Sequence, residues 1–136
     1  MTTDEAIGEL YAYTLARSNS DFIHQHAVDA FTAQMATAEA KPIAVAFALI
    51  GLHLCLERGY TGREVQLAHM RLARLQKHSP TFALPEDLGE ISVFDVLLAR
   101  PGEERDARIK KWCASVWKAW QHAQTSVREL YTQAHQ

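Results

Sequence analysis

The residues best suited to chemistry lie in one short stretch, residues 20–34, where His24, His26, Asp29 and Gln34 alternate with apolar side chains. On a helix that turns by about 100° per residue, His24 and Gln34 fall within the apolar face, whereas His26 and Asp29 fall outside it. We therefore expect His24 and Gln34 to point into the core, where a buried polar group needs a partner. We expect His26 and Asp29 to lie at the edge of that face or in solvent.

The imidazole and carboxyl groups of this stretch suggest acid–base chemistry. His26 and Asp29 are helical neighbours at i and i+3, and a carboxylate so placed can fix the tautomer of an imidazole. The alternative for this pair is a solvated contact worth roughly 0.2–0.5 kcal/mol. We take His24 and Asp29 as the candidate catalytic residues. No nucleophile elbow and no Gly-rich phosphate loop is found elsewhere in the sequence.

Three histidines on three predicted helices, His24, His53 and His122, could together bind a divalent metal ion. Asp29 or Glu57 could complete the set of ligands. No HxxxH, HExxH or ExxH pair supports such a site. The alternative is that His24 and His53 are hydrogen-bonded residues of the core.

Three tryptophans, Trp112, Trp117 and Trp120, lie close together near the C-terminus and could line an aromatic pocket. With Gln34 and His53, Trp117 and Trp120 are the candidate ligand-binding residues. The alternative is that the tryptophans belong to the core or to a dimer interface.

The elements that must position these residues are all helices. Helical periodicity, Pro42 at a helix start, Gly59 at a helix end and capping boxes at residues 61–64 and 92–95 mark their limits. The second helix has Ser18 or Ser20 as its cap. The predicted helices span about residues 3–17, 20–37, 42–58, 61–77, 92–99 and 103–134. We predict an all-α helical bundle of four main helices plus one short helix, with a long C-terminal helix and no strand.

The last helix carries a strict seven-residue repeat, typical of bundles and coiled coils. Its members are Ile109, Cys113, Val116, Trp120, Ala123, Val127, Leu130 and Ala134. At about 48 Å it would be longer than the other helices can cover. The end of this helix is therefore expected to pack against a second subunit, which predicts a homodimer.

The fourth helix is predicted to have an apolar inner face of Val65, Ala68, Leu72 and Leu75 and a basic outer face of Arg63, Arg71, Arg74, Lys77 and His78. The basic face could meet the acidic loop at residues 86–90 or an anionic partner. The alternative is a solvated face, because the charges of the whole chain are nearly balanced.

Composition limits the function classes. The 136 residues suit one domain, residues 1–136, and a net charge of -2 argues against a nucleic-acid partner. Cys55 and Cys113 have no CxxC spacing and are typical of reduced thiols in a cytoplasmic protein. The N-terminal residues do not form a signal peptide, and no apolar run is long enough to span a membrane.

Several segments resemble the signature of an uncharacterised bacterial family, a domain of unknown function. The stretch His-Gln-His-Ala-Val-Asp-Ala-Phe from residue 24, followed by Gln34, resembles its His-Gln-x-x-Val-Asp-x-Tyr-x-x-Gln-His motif. The resemblance continues in residues 49–52 with 56–58, residues 91–96 and the Trp-rich residues 112–120, and it covers most of the chain from residue 20 onward. It implies a shared fold and no established activity.

The chain departs from that signature where the family carries further histidines. Met35, Ala48 and the pair Ala123-Gln124 stand at those positions. A metal site built from the family's histidines would lack most of its ligands here, with His53 and His122 as possible substitutes. The architecture also weakly resembles the DinB-like helical bundles, which hold a metal with three histidines.

Two functions of different classes follow. The first is a small-molecule-binding and possible metal-binding bundle, with enzyme activity left open and with its site between the second, third and last helices. The alternative is a non-enzymatic homodimeric interaction module, indicated by the long repeat helix and the tryptophans.

Overall fold

The computed structural model describes residues 1–17, 21–75 and 79–134 of the chain. Within these ranges it contains seven α-helices, one 3-10 helix and no strand, which confirms the predicted all-α class. The helices are α1 (Thr3–Ala16), α2 (His24–Gln34), α3 (Pro42–Arg58), α4 (Gly62–Leu75), α5 (Val93–Leu98), α6 (Glu103–Ala119), a 3-10 helix (Gln121–Ala123) and α7 (Gln124–Ala134). The predicted caps at Ser18 and Ser20, and Lys77 and His78 of the fourth helix, lie outside the described residues.

Helices α2 and α3 form the centre of the fold. Helix α2 packs against α1, α3, α4 and α6, and α3 packs against α2, α4, α6 and α7. No residue of α2 is exposed, although the helix carries two histidines, an aspartate and two glutamines. The polar groups of α2 must therefore be accommodated inside the protein.

The predicted helix limits hold where local chemistry sets them. Pro42 occupies the first turn of α3, where its missing N–H leaves no donor unpaired, and Gly59 ends α3 with a left-handed φ of 67°. Thr61 and Glu64 form the capping box of α4, with reciprocal bonds of 3.1 and 2.9 Å. At the start of α5, the Asp95 carboxylate accepts the backbone N–H of Ser92 at 2.9 Å.

The prediction of one long C-terminal helix is wrong. The α-helix ends at Ala119, a 3-10 turn follows at Gln121–Ala123, and α7 then packs against α3, as α6 does. The buried Trp120 ring donates Nε1–H to the Ala33 carbonyl at 3.2 Å, which ties the break to α2. The predicted count of four main helices plus one short helix is for this reason not confirmed.

Most of the seven-residue repeat is buried inside this one chain. Its core members are Ile109, Cys113, Val116, Trp120, Ala123 and Val127. Because the chain covers its own apolar stripe, the repeat no longer requires a second subunit.

The C-terminal end of α4 is more exposed than the sequence predicts. Val65, Ala68 and Leu72 are fully buried as expected, but Leu75 is 65% exposed. Leu67 and Met70 are also exposed, so the outer face of α4 is apolar as well as basic.

None of the helices within the described ranges is both long and apolar enough to cross a membrane.

Candidate functional site

His26 and Asp29 are buried, contrary to the prediction that they face solvent or the edge of the apolar stripe. Each has only 3% of its surface exposed, whereas His24 is half-buried. The helical pattern identifies one apolar face of α2, but four other helices surround α2 and cover the remaining sides. Two ionisable groups thus lie where burial strongly favours their neutral forms.

The Asp29 carboxyl group is wedged between α2 and α3. Its Oδ1 accepts a hydrogen bond from Gln25 Nε2 at 3.1 Å, and its Oδ2 is buried without a hydrogen-bond partner among the described residues. A Cβ on Gly51 would lie 1.9 Å from Oδ2, so only glycine leaves room for the carboxyl at this point of α3. Burial raises the pKa of Asp29 well above its usual value, which favours the protonated form over a carboxylate base.

A cleft of about 330 Å³ opens beside α2, next to His26. Its walls come from the segment before α2, the α3–α4 junction and the first half of α6. The lining residues are Asp21, Ile23, His26, Gly59, Tyr60, Thr61, Glu103, Asp106, Ala107 and Lys110. This volume lies at the lower end of the usual range for small-molecule sites.

His26 is the buried polar group of this cleft. Its Nδ1 has no hydrogen-bond partner in the parts of the chain that the structure describes. Burial, with a smaller contribution from the positive charge of Lys110, lowers the pKa of His26 to about 4. The imidazole is therefore neutral at physiological pH, with one nitrogen able to donate and the other able to accept a hydrogen bond.

The charged groups of the cleft differ in whether they are already paired. Asp106 accepts hydrogen bonds from Arg17 and from the Tyr13 hydroxyl, both at 2.6 Å. Lys110, Asp21 and Glu103 form no side-chain ion pair within the described ranges. The lining residues of the cleft thus include one ammonium group and two carboxylates outside any ion pair of the described residues.

One wall of the cleft depends on a close backbone contact. A Cβ on Gly62 would lie 1.8 Å from the Phe22 carbonyl oxygen, and the Arg63 N–H donates to the Asp21 carbonyl at 3.1 Å. Phe22 has a φ of 53°, a conformation unusual for a side chain of this size. The contact with α4 holds the segment that carries Asp21 and Ile23 in place, and strained backbone of this kind is frequent near functional sites.

The candidate catalytic residue His24 lies outside this cleft. Its Nδ1 is 2.8 Å from the Thr14 hydroxyl, and its ring packs edge-on against Tyr11. These contacts give His24 a role in joining α1 to α2.

Gln34 is buried, as predicted, and every polar group of its side chain has a protein partner. Its Nε2 donates to the carbonyls of Leu88 at 3.0 Å and Ile91 at 2.7 Å, and its Oε1 accepts from Trp112 Nε1 at 2.9 Å. Gln34 therefore connects α2, the loop before α5 and α6, and both of its N–H donors are used within the protein.

The predicted ligand-binding residues His53 and Trp117 meet at Glu57. His53 Nδ1 lies 2.7 Å from Glu57 Oε1, and Trp117 Nε1 donates to Oε2 at 3.3 Å. Arg128 of α7 donates to both carboxylate oxygens, at 2.8 and 2.7 Å. These hydrogen bonds, led by that of Arg128, lower the pKa of Glu57 to about 2, and the cluster fastens α7 to α3.

The three histidines proposed as metal ligands are not brought together. His24 contacts Thr14, His53 contacts Glu57, and the exposed His122 has its Nε2 2.6 Å from the Ala83 carbonyl oxygen. Among the described residues no group of three or more His, Cys, Asp or Glu side chains could hold a metal ion. Trp120, the remaining candidate for ligand binding, is fully buried in the core.

Sequence reasoning missed Lys110 and Tyr60 as members of the site. The chain segments that carry them are far from residue 26 in sequence, and no spacing rule links them. The mixture of ionisable and apolar residues did direct attention to α2, where His26, and not the candidate His24, lines the cleft.

The fold and the cleft define a class: an all-helical protein with a small polar cleft on the side of its central helix. The chain belongs to the family described as "Family of unknown function (DUF5946)", whose model matches residues 4–121. That match confirms the resemblance to a domain of unknown function, and the bond from Trp112 to Gln34 joins two of the segments that carry it. No curated protein and no solved structure matches the chain significantly.

Proposed function

We propose that this protein binds a small polar molecule in the cleft beside His26. The observation that carries the proposal is His26 itself: a nearly buried, neutral imidazole that lines the cleft in the field of the Lys110 ammonium group. A concave site with a few convergent polar groups is the usual form of a small-molecule site, and this cleft combines an imidazole with charged groups of both signs.

The cleft lies beside the start of α2, the end of α3 and the first half of α6, and its lining supports the proposal. Lys110 can form a charge-assisted hydrogen bond with an anionic group, and the neutral His26 ring can form a hydrogen bond without adding charge. The candidate catalytic residue His24 lies outside the cleft, and His26 is the histidine that lines it. The same groups would serve a protein that only binds the molecule and one that also converts it.

The proposal is tested by introducing a large side chain at the edge of the cleft, where it would take up the space of the ligand. Ala107 is exposed and lines the cleft, whereas Ala114 is exposed on the same helix and lies outside it. Amide NMR spectra of the ¹⁵N-labelled protein would be recorded with glucose, leucine, citrate, adenosine and spermidine at millimolar concentration. We expect at least one probe to shift the signals of Gly59, Thr61 and Lys110, with Ala107→Trp abolishing the shifts and Ala114→Trp preserving them.

The proposal fails if no probe shifts these signals, or if Ala107→Trp and Ala114→Trp respond alike. Both substitutions are on the surface, so a thermal melt is enough to show that each variant is folded.

A divalent metal is not needed for this proposal, since His24, His53 and His122 each have a separate partner. Metal analysis of untagged protein would test the earlier metal hypothesis. Stoichiometric metal that is lost in His24→Ala would restore it.

A homodimeric interaction module remains the second candidate, and its support now comes from α4. Leu67 and Met70 are about half exposed, at 51% and 52%, and lie at i and i+3 beside Arg71 and Arg74. Light scattering would test this: a dimer that dissociates in Leu67→Glu, but not in the control Leu15→Glu on α1, supports the module. A monomer at all concentrations excludes a dimer through this face.

A cytoplasmic location in a bacterial cell remains part of the proposal. Cys55 and Cys113 are both free thiols, as expected in a reducing compartment.

A further inference from the structure

We propose that the cleft beside His26 selects a zwitterion, a small molecule that carries a carboxylate and an ammonium group close together, as amino acids do. This inference rests on the proposed function, because it names the class of ligand for the same cleft. Three properties of the lining carry it: its free charges, its neutral imidazole and its apolar wall.

The free charges of the cleft have both signs. Lys110 is the only cationic side chain of the lining residues, and Asp21 and Glu103 are carboxylates without an ion-pair partner in the described parts of the chain. Asp106 is already neutralised by Arg17. One ammonium and two carboxylates remain to be matched by whatever occupies the cleft.

A ligand of a single charge would meet repulsion in this lining. A simple anion drawn to Lys110 would lie in the field of Asp21 and Glu103, and a simple cation drawn to the carboxylates would lie in the field of Lys110. A zwitterion turned with its carboxylate toward Lys110 and its ammonium toward Asp21 or Glu103 matches both signs at once.

His26 adds hydrogen bonding without adding charge. Because its pKa is lowered to about 4, the ring is neutral at physiological pH and leaves Lys110 as the single positive group. The imidazole can then accept from the ligand's ammonium or donate to its carboxylate.

The remaining lining suits a short apolar side chain. Ile23, Tyr60 and Ala107 supply the apolar part of the cleft. A volume of about 330 Å³ suits a molecule of the size of leucine and leaves little room for a peptide or a nucleotide.

The experiment compares three molecules that share a carbon skeleton. Leucine carries both charged groups, 3-methylbutylamine lacks the carboxylate, and 4-methylpentanoate lacks the ammonium. Dissociation constants would be measured at pH 7 by amide NMR titration of the intact chain. We expect leucine to bind at least tenfold more tightly than either analogue, because each analogue lacks one of the two charge-assisted hydrogen bonds.

Substitutions of exposed charges assign the two ends of the ligand. Lys110→Gln should weaken leucine at least tenfold and leave 3-methylbutylamine no weaker than before. The double variant Asp21→Asn/Glu103→Gln should weaken leucine and strengthen 4-methylpentanoate. Lys118→Gln is the matched control, since Lys118 is exposed on the same helix and lines a separate groove beside residues 85–91.

The inference is overturned if either analogue binds as tightly as leucine, or if Lys110→Gln and Lys118→Gln behave alike. It is also overturned if leucine does not bind while glucose, citrate, adenosine or spermidine does, and in that case the proposed small-molecule cleft stands. If no probe binds in the cleft, the proposed function itself fails.

Discussion

Asp29 and Gly51 occupy complementary positions across the α2–α3 interface: the carboxyl of one fills the space that a side chain on the other would need. A Cβ on residue 51 would lie 1.9 Å from Asp29 Oδ2 and 2.6 Å from its Cγ. Both residues are buried at the centre of the fold, so neither can move aside at little expense.

Gly51→Ala should destabilise the protein by about 3 kcal/mol, because the buried carboxyl of Asp29 must be displaced from a packed interface. Urea denaturation would measure the change in the free energy of unfolding. The control is Gly8→Ala on α1, where no atom lies within 4 Å of the new Cβ. Removing a glycine from an exposed helical position should stabilise by about 0.5–1 kcal/mol. In the double variant, Asp29→Ala should restore part of the unfolding free energy that Gly51→Ala removes. If it restores none, the two side chains do not compete for this space.

Asp29→Asn should make the protein progressively more stable than the wild type as the pH rises above 3.8, the usual pKa of the group. The raised pKa means that the folded state holds the Asp29 proton more tightly than the unfolded state does. That contribution to stability is complete below the unfolded pKa and is lost as the pH rises through the folded pKa. Asparagine cannot ionise and keeps an oxygen for Gln25. The measurement is urea denaturation of both proteins over a series of pH values, and a stability difference that stays constant with pH would contradict the assignment.

His26→Gln should have the opposite pH dependence. The pKa of His26 falls from 6.5 to about 4 on folding, so its contribution is present above pH 6.5 and is lost as the pH falls toward 4. This difference in pKa between the unfolded and folded states lowers the unfolding free energy of the wild type by about 3 kcal/mol over that interval. Unfolding free energies at pH 7 and pH 4 would show the variant losing less than the wild type. The control is His122→Gln, a substitution of an exposed histidine outside the cleft.

Gln34→Leu should destabilise the protein by about 3 kcal/mol, since it leaves the Trp112 N–H and the carbonyls of Leu88 and Ile91 without their partner. The change should be accompanied by altered fluorescence of the buried Trp112. Thermal and urea melts would measure it, with the exposed Gln121→Leu as the control. A loss below about 1 kcal/mol would mean that water replaces Gln34 in this network.

The parts of the fold that follow from local chemistry could be predicted from sequence. The capping box at Thr61 and Glu64, the start of α3 at Pro42 and its end at Gly59 all depend on residues within one helical turn. Gln34 was correctly expected to be buried because it lies on the apolar face of α2. Each of these features is set by residues that are close to it in the sequence.

The site could not be predicted in the same way, because it depends on which helices surround α2. A helical pattern finds one apolar face, and it places His26 outside that face although the other helices bury it. Lys110 becomes part of the cleft only through the packing of α6 beside the α3–α4 junction. The break at Trp120 likewise depends on a bond to Ala33, which is remote in sequence.

That break also has a mechanical consequence. An unbroken helix of residues 103–134 would act as a stiff rod, so any tilt produced by a ligand at Lys110 would be passed along its whole length. The turn at Trp120 interrupts this rod, and α7 is fastened instead to α3 through Arg128 and Glu57. Because Trp117 of α6 donates to the same Glu57 carboxylate, the segments on both sides of the turn are anchored to one side chain of α3.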